Sequence, residues 1–587
     1  MMEEKIYKFF KLKTLKIIIA LIILILLGIF FYCIYSKSDF NRKVSSDEFL
    51  NGSNIVINNL DNSEVESLSK LCKVWGFIKY YHPKAIEGDI DMDFELFKVI
   101  PLVMEAKNEK AVNRVIYDWV NSFGEFDEGV YSEEYEVKVT APIKWIDDEE
   151  YLSERLSKAL AKISKSYVKD RDKAYVNYKG DSIYSNFDNE KEYPVINYED
   201  DGYKLLSVFR YWNIIEYYNP YRTVMEENWD EVLKKFIVKI IQSDDDLSYK
   251  LTLSELVSRI HDTHAVIKDD TSTLFNYWGH NIAPIKFLVV DNKIVVTDII
   301  KEYEEECALK VGDVILRIND KDIFEVIKEQ SKYLSFSRED AIVNTLAYNL
   351  FRSKEDSLTL KVERAGSELI EDVKCYNVSD VNIAEVKGES HELLEGNIGY
   401  INPGALAKGE IEKVMKNLKY TDSIIVDLRY FPSDMIAYTM PNYLLPEKTV
   451  FSKGTIANKT VPGEFIFCED ITVGMKNPDY YKGKVVIIIN ECTQSQGEFT
   501  AMALRRAPNA VVIGENSVGA DGNVSYINLP GGVTTVISGV GIYTPETFET
   551  QRVGVKPDIY VKPTIEGIRS GKDELLDKAI EIVKDKK

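Results

Sequence analysis

"GKVVIIINECTQSQGEFTAMALRRA" occupies residues 483–507. Its apolar run ends abruptly at Asn490, a short polar stretch follows, and an alanine- and leucine-rich pattern with helical periodicity then begins. The run is short, β-branched and bounded by polar residues, so it reads as a buried strand feeding a helix. The small polar residues Thr493, Gln494, Ser495 and Gln496 fall at the junction. A helix N-terminus offers unpaired backbone N–H groups and a positive dipole end, both suited to a developing oxyanion. Ser495 is therefore a candidate nucleophile, although a serine at such a junction is more often a plain helix cap.

The same strand–helix alternation extends around this stretch. "NIGYINPG", "DSIIVDLRY", "KVVIIINE" and "AVVIGEN" are strand-like segments spaced by helical ones from residue 397 on. That pattern predicts an α/β layer with a largely parallel sheet, whose reactive site lies beyond the carboxyl ends of the strands. Upstream, residues 284–375 read as mostly β: "PIKFLVV", "KIVVTDII" and "SLTLKVERAG" alternate or run apolar. Between them "ALKVGDVILRINDKDI" (308–323) resembles the core of a PDZ domain, with a short helix, a Leu-x-x-Gly-Asp turn, a strand and a tight turn at Asn319-Asp320. A long helical segment, about 324–352, stands where that domain has a short helix. PDZ domains bind extended peptides by strand addition.

Further upstream the chain repeats itself. "LCKVWGFIKYYHPKAIEGDIDMDFELFKVI" (71–100) aligns without a gap on "VFRYWNIIEYYNPYRTVMEENWDEVLKKFI" (208–237), at an offset of 137. Trp75 matches Trp212, Tyr80 and Tyr81 match Tyr217 and Tyr218, and Pro83 matches Pro220. Each copy reads as a helix, a proline-marked turn and a second helix. Only the second copy runs on into a histidine motif, "LSELVSRIHDTHAVI" (253–267).

The N-terminal segment is of another kind. Ile17 to Tyr35 carries no charge over 19 residues, about enough to cross a bilayer core of roughly 30 Å as a helix. Lys5, Lys8, Lys11, Lys13 and Lys16 precede it, which predicts a cytoplasmic N-terminus and an extracytoplasmic remainder. A signal peptide is the rival reading. The run is long for one, and no Ala-x-Ala cleavage site follows it. The expected organisation is a cytoplasmic tail and transmembrane anchor (1–36), a polar linker (37–60), a first helical repeat domain (61–200) and a second repeat carrying the histidines (201–280). A PDZ-like domain (281–380) and an α/β core (390–587) follow.

Bulk composition excludes several classes. The 587 residues are 45% apolar and 29% charged, as in a folded multidomain protein, and the net charge of −22 argues against a nucleic-acid partner. The six cysteines show no CxxC and no regular spacing, so neither a disulfide scaffold nor a zinc site is expected. His261, Asp262 and His264 offer no further cluster to complete a metal shell, and no cofactor is implied. A serine nucleophile needs a base, and the five histidines are His82, His261, His264, His280 and His391.

The order of motifs from residue 65 to 585 resembles the tail-specific, or C-terminal processing, serine peptidases and their tricorn-like relatives. The matching stretches are 308–323, "IIVDLRYFPS" (424–433), "INECTQSQGEF" (489–499), "IGENSVGADG" (513–522) and "TQRVGVKPDIYVKPT" (550–564). The resemblance implies a multidomain α+β protein with a crotonase-like, ClpP-like peptidase core. It also implies Ser495 as nucleophile with Glu498 supporting it. The family's lysine position is Ala520 here, which removes a Ser–Lys dyad. The tricorn-like branch uses a histidine from an Asp-x-His segment, here His264 with Asp262 in support and His261 as a spare. The orienting acceptor is expected at Gln551 or Glu549, just before Gly554–Asp558. The oxyanion hole is expected from the N–H groups of Gln496 and a residue near Ser433, in a loop that lacks the family's glycines. The implied substrate is a protein or peptide, and the bilayer is met through residues 17–35. Two rivals stay open: a binding protein on a degenerate peptidase fold, and a membrane-tethered PDZ scaffold.

Overall fold

The computed structural model describes residues 48–127, 129, 134–178 and 182–585. The expected anchor, residues 17–35, lies outside them, and among the described residues no helix is long and apolar enough to cross a membrane. The chain forms two compact units: the described parts of Met1–Tyr131 with Ile143–Asp170, and of Ser132–Pro142 with Arg171–Lys587.

The internal repeat is a repeat of structure. The first unit holds helices Asn62–Tyr81, Met92–Met104 and Glu109–Ser122, and the second unit holds Asp201–Tyr218, Trp229–Ile241 and Asp246–Ser258. The last residue of the first helix, the whole second helix and the first residue of the third all recur at the offset of 137. The capping residues recur with them. Asp91 and Asn228 cap the second helices, and Asn108 and Asp245 the third, each accepting from a first-turn N–H. The buried Trp75 indole donates to the Met92 carbonyl at 2.6 Å, and Trp212 donates to Trp229 at 2.8 Å. Each tryptophan thereby clamps its first helix to the start of its second. The two copies diverge after the third helix, where only the second leads to the histidine loop.

The PDZ region is a five-strand antiparallel path of Ile285–Val290, Lys293–Ile299, Val314–Ile318, Ser357–Arg364 and Ser367–Lys374, with Ile285–Val290 at one edge. The expected strands are all present, and Asn319 takes the left-handed φ of 52° in the tight turn. Two expectations are corrected. No helix immediately precedes the Gly312-Asp313 turn; a 3₁₀ turn stands earlier, at Lys301–Tyr303. The long helical segment is broken into Ile323–Ser331, a 3₁₀ turn at Glu339–Ala341 and Ile342–Leu346. The break falls at Ser335 and Ser337, whose hydroxyls accept the N–H groups of Asp262 and Thr263, both at 3.0 Å. Those hydroxyls brace the histidine loop, so this stretch serves that loop and not a continuous helix.

The C-terminal core is the expected parallel sheet. Its order is His391–Leu394, Ile398–Ile401, Ser423–Asp427, Lys484–Ile489, Ala510–Gly514 and Ile559–Tyr560, parallel except for the first pair. Val485, Ile487 and Ile489 pack on one face with the Gln496–Leu504 helix; Val486 and Ile488 pack on the other with Leu575 and Ala579 of the Glu574–Lys584 helix. Burial on both faces explains why the strand reads as an unbroken apolar run. Each such buried side chain contributes roughly 1.5–3 kcal/mol by area.

Candidate active site

The Lys484–Ile489 strand ends as expected, and Ser495 caps the Gln496–Leu504 helix. Its backbone is in a rare conformation for a side-chain-bearing residue, φ 51° and ψ −116°. The turn is held from several sides. Thr493 donates through Oγ1 to the Leu428 carbonyl at 2.9 Å, and the Ser495 N–H donates to the Ala520 carbonyl at 2.9 Å. Glu498 joins the pieces. Its Oε1 accepts from Ser517 Oγ (2.5 Å) and Gly519 N–H (2.7 Å), and its Oε2 from Ala520 N–H (2.9 Å) and Ser495 N–H (3.1 Å). Burial pushes the Glu498 carboxyl up, against the downward pull of these four donors. Glu498 thus fixes the strained serine turn to the loop that carries Ala520.

His264 is positioned by a second, three-stranded sheet. Ile267–Asp269 pairs antiparallel with Val533–Ser538, with Ile267 opposite Thr535. Continuing that register three residues sets His264 opposite Ser538, and His264 Nδ1 lies 3.2 Å from Ser538 Oγ. Asp262 completes the arrangement. One carboxylate oxygen lies 3.3 Å from Nδ1 and accepts the His264 N–H at 3.0 Å; the other accepts Ser538 Oγ–H at 2.7 Å and its N–H at 3.1 Å. Burial works to raise the Asp262 carboxyl, but the bonds and charge of His264, with Ser538, hold it at about 2. The opposite ring nitrogen, Nε2, is buried and has no hydrogen-bond partner. The imidazole is therefore anchored through Nδ1, its buried Nε2 makes no hydrogen bond, and the Ser495 hydroxyl is not bonded to it.

A cavity of about 770 Å³ has His264, Phe431, Cys492 and Gln494 in its wall, together with Tyr333 and Tyr348 from the broken segment. The serine turn and the histidine loop therefore face one space. The remaining expected residues fall elsewhere. Glu549 pairs with Lys138 at 3.1 Å. Gln551 is buried, its Oε1 has no hydrogen-bond partner, and it makes no bond to His264. The contact expected of one of these two is made by Asp262. His261 lies edge-on to Phe336, and burial, then the Arg552 charge, pushes its imidazole pKa down.

The oxyanion loop also differs from expectation. The Ser433 N–H donates to the Pro403 carbonyl at 3.0 Å, so it is already engaged. Pro432 has no N–H. The N–H groups of Tyr430 and Phe431 make no hydrogen bond among the described residues. Gln496 opens its helix, where the N–H lies outside the helix's own ladder, and its side chain donates to the Asp434 carbonyl at 2.6 Å. Ser538 was missed from the sequence, since nothing local marks a partner 274 residues from the histidine. Among the described residues no group of histidine, cysteine and acidic side chains is arranged to hold a metal ion.

Known proteins agree with this architecture. Residues 397–561 match the model of peptidase family S41, and residues 280–392 match that of a PDZ domain. A carboxyl-terminal-processing protease from Picosynechococcus sp. is 23% identical over 382 residues, covering 62% of this chain and 84% of that protein. Two solved structures share the fold. One is a CPAF point mutant, with TM-score 0.53, 14% identity, and coverage of 65% of this chain and 97% of the other. The second is mature CPAF complexed with lactacystin, with TM-score 0.51, 14% identity, and coverage of 65% and 98%. The family and relative matches indicate a serine-type peptidase, similar over residues 397–561 to peptidase family S41 and over residues 280–392 to a PDZ domain.

Proposed function

We propose that this protein is a membrane-anchored, extracytoplasmic serine endopeptidase that works by Ser–His–Asp catalysis. In this reading Ser495 Oγ attacks a peptide carbonyl carbon while its proton passes to His264 Nε2. The Asp262 carboxylate fixes the imidazole tautomer through Nδ1 and stabilises the imidazolium that forms. Nε2 then gives the proton to the leaving amine, and water hydrolyses the acyl-enzyme by the same route in reverse. The oxyanion is held by the Gln496 N–H with a neighbouring amide of the Tyr430–Phe431 loop, worth a few kcal/mol of transition-state stabilisation. The Ser495 to Nε2 hydrogen bond forms when substrate fills the cavity. The observation that carries the proposal is the His264 ring, anchored at Nδ1 by Asp262 and Ser538 with Nε2 unpartnered, on a cavity whose wall includes Gln494, beside Ser495.

The anchor is residues 17–35, supported by its uncharged length and the lysines before it. The test of the activity is cleavage of fluorescent casein by the protein and by Ser495→Ala and His264→Ala. Cleavage by the wild type alone supports the assignment. Equal cleavage by either variant rejects it.

The open Ser495–His264 contact and the engaged Ser433 N–H favour a second reading, a peptide-binding protein on a peptidase fold. Tight casein binding with no cleavage is its signature.

A further inference from the structure

A second cavity, of about 710 Å³, adjoins the first: Tyr348, Phe431 and Cys492 line both. Its wall also includes Ile285, Lys286, Phe287 and Leu288 of the PDZ edge strand. Glu491 and Glu515 form an acidic corner of this wall, four residues before Ser495 and just beyond the Ala510–Gly514 strand.

Most charges of the wall are matched. Asp298 pairs with Lys387 at 2.7 Å and Asp573 with Arg429 at 2.6 Å. Glu385 has one unpartnered carboxylate oxygen, but Lys286 donates to its carbonyl at 2.7 Å and brings a positive charge beside it. Glu491 is different. It is only 6% exposed, its Oε2 has no hydrogen-bond partner, and the neighbouring Glu515 already holds Lys562 at 3.1 Å. Two carboxyl groups thus face one lysine, in a place where an unmatched charge is costly.

We propose that Glu491 and Glu515 form a specificity subsite for a lysine or arginine side chain of the peptide substrate, entered from the catalytic cavity past Cys492. This rests on the peptidase reading given above. An ammonium or guanidinium supplies the missing charge and several donors, in charge-assisted bonds to the unpartnered oxygen. The phenyl and phenol rings of Phe431 and Tyr348 give the alkyl stem apolar surface on the way in. Burial, together with the Glu515 charge, pushes the Glu491 carboxyl up to about 8. The empty pair therefore keeps a proton at neutral pH, and an arriving cation displaces it to solvent.

The test is binding to the full-length Ser495→Ala protein, which separates recognition from catalysis. The probes are fluorescent alanine-based octapeptides that carry one lysine, or one norleucine, at each position in turn. At one position lysine should bind about tenfold more tightly than norleucine. Adding Glu491→Gln or Glu515→Gln should cut that preference to about threefold or less while norleucine peptides bind as before, which also shows that the fold is intact. A lysine preference absent at every position, a preference that survives both substitutions, or no binding by any peptide overturns the subsite. Because no step of this test needs the serine, a failed nucleophile assignment leaves its outcome readable.

Discussion

Asp262 grips the His264 imidazole from two residues away. One carboxylate oxygen sits 3.3 Å from Nδ1 and the other accepts the Ser538 hydroxyl at 2.7 Å. A short loop and one distant strand together fix the ring, and its far nitrogen is buried without a hydrogen-bond partner.

Asp262→Asn should lower kcat by about a thousandfold or more with KM little changed, because an amide permits the wrong tautomer and cannot stabilise the imidazolium. Steady-state kinetics on fluorescent casein read it. A loss confined to KM would place Asp262 outside the acid–base machinery.

Ser538→Ala removes the hydroxyl that touches both Asp262 and Nδ1. The carboxylate still holds the ring, so the loss in kcat should be about tenfold, far less than for Asp262→Asn. Ser538→Thr should restore most of it. An unchanged kcat in Ser538→Ala would reduce Ser538 to packing.

Glu498→Gln should destabilise the protein by about 2–4 kcal/mol. All four of its contacts are donors, and either orientation of the new amide turns an N–H₂ group against at least one backbone N–H. Urea unfolding, with activity followed alongside, checks this. Unchanged stability would mean that the carboxylate does not brace the serine turn.

Glu491 sets a pH dependence of stability. Its carboxyl lies at about 8 when folded and near 4.5 when unfolded, so across that window the folded chain binds the extra proton. Its contribution is full below about 4.5 and is lost as pH rises through about 8. Glu491→Gln should flatten the unfolding midpoint across that window, and a wild-type slope retained in the variant would remove Glu491 as its source.

The sequence exposes these features unevenly. The Ser495 turn was legible because strand and helix periodicities meet there, and the repeat because buried tryptophans, prolines and caps recur at one spacing. The parallel core was legible for the same reason: both faces of Lys484–Ile489 are buried. The acceptor for His264 was legible only in part. Asp262 is expected beside His264 from the Asp-x-His spacing, but the orienting contact is expected at Gln551 or Glu549 from a motif's order, and the bracing of the loop by Ser335 and Ser337, more than seventy residues on, leaves no local sign. The Ser433 N–H is taken by the Pro403 carbonyl, 30 residues back, which no spacing announces. Long-range contacts between irregular segments leave no period to read.

In the proposed mechanism Ser495 is a nucleophile activated by His264. The most direct measurement is fluorophosphonate labelling of the protein, with the adduct located by mass spectrometry, for wild type, His264→Ala and Asp262→Asn. One adduct on Ser495 is expected in the wild type, absent in His264→Ala and formed much more slowly in Asp262→Asn. An adduct at another residue, an undiminished adduct on Ser495 without His264, or no adduct even with casein present would contradict it.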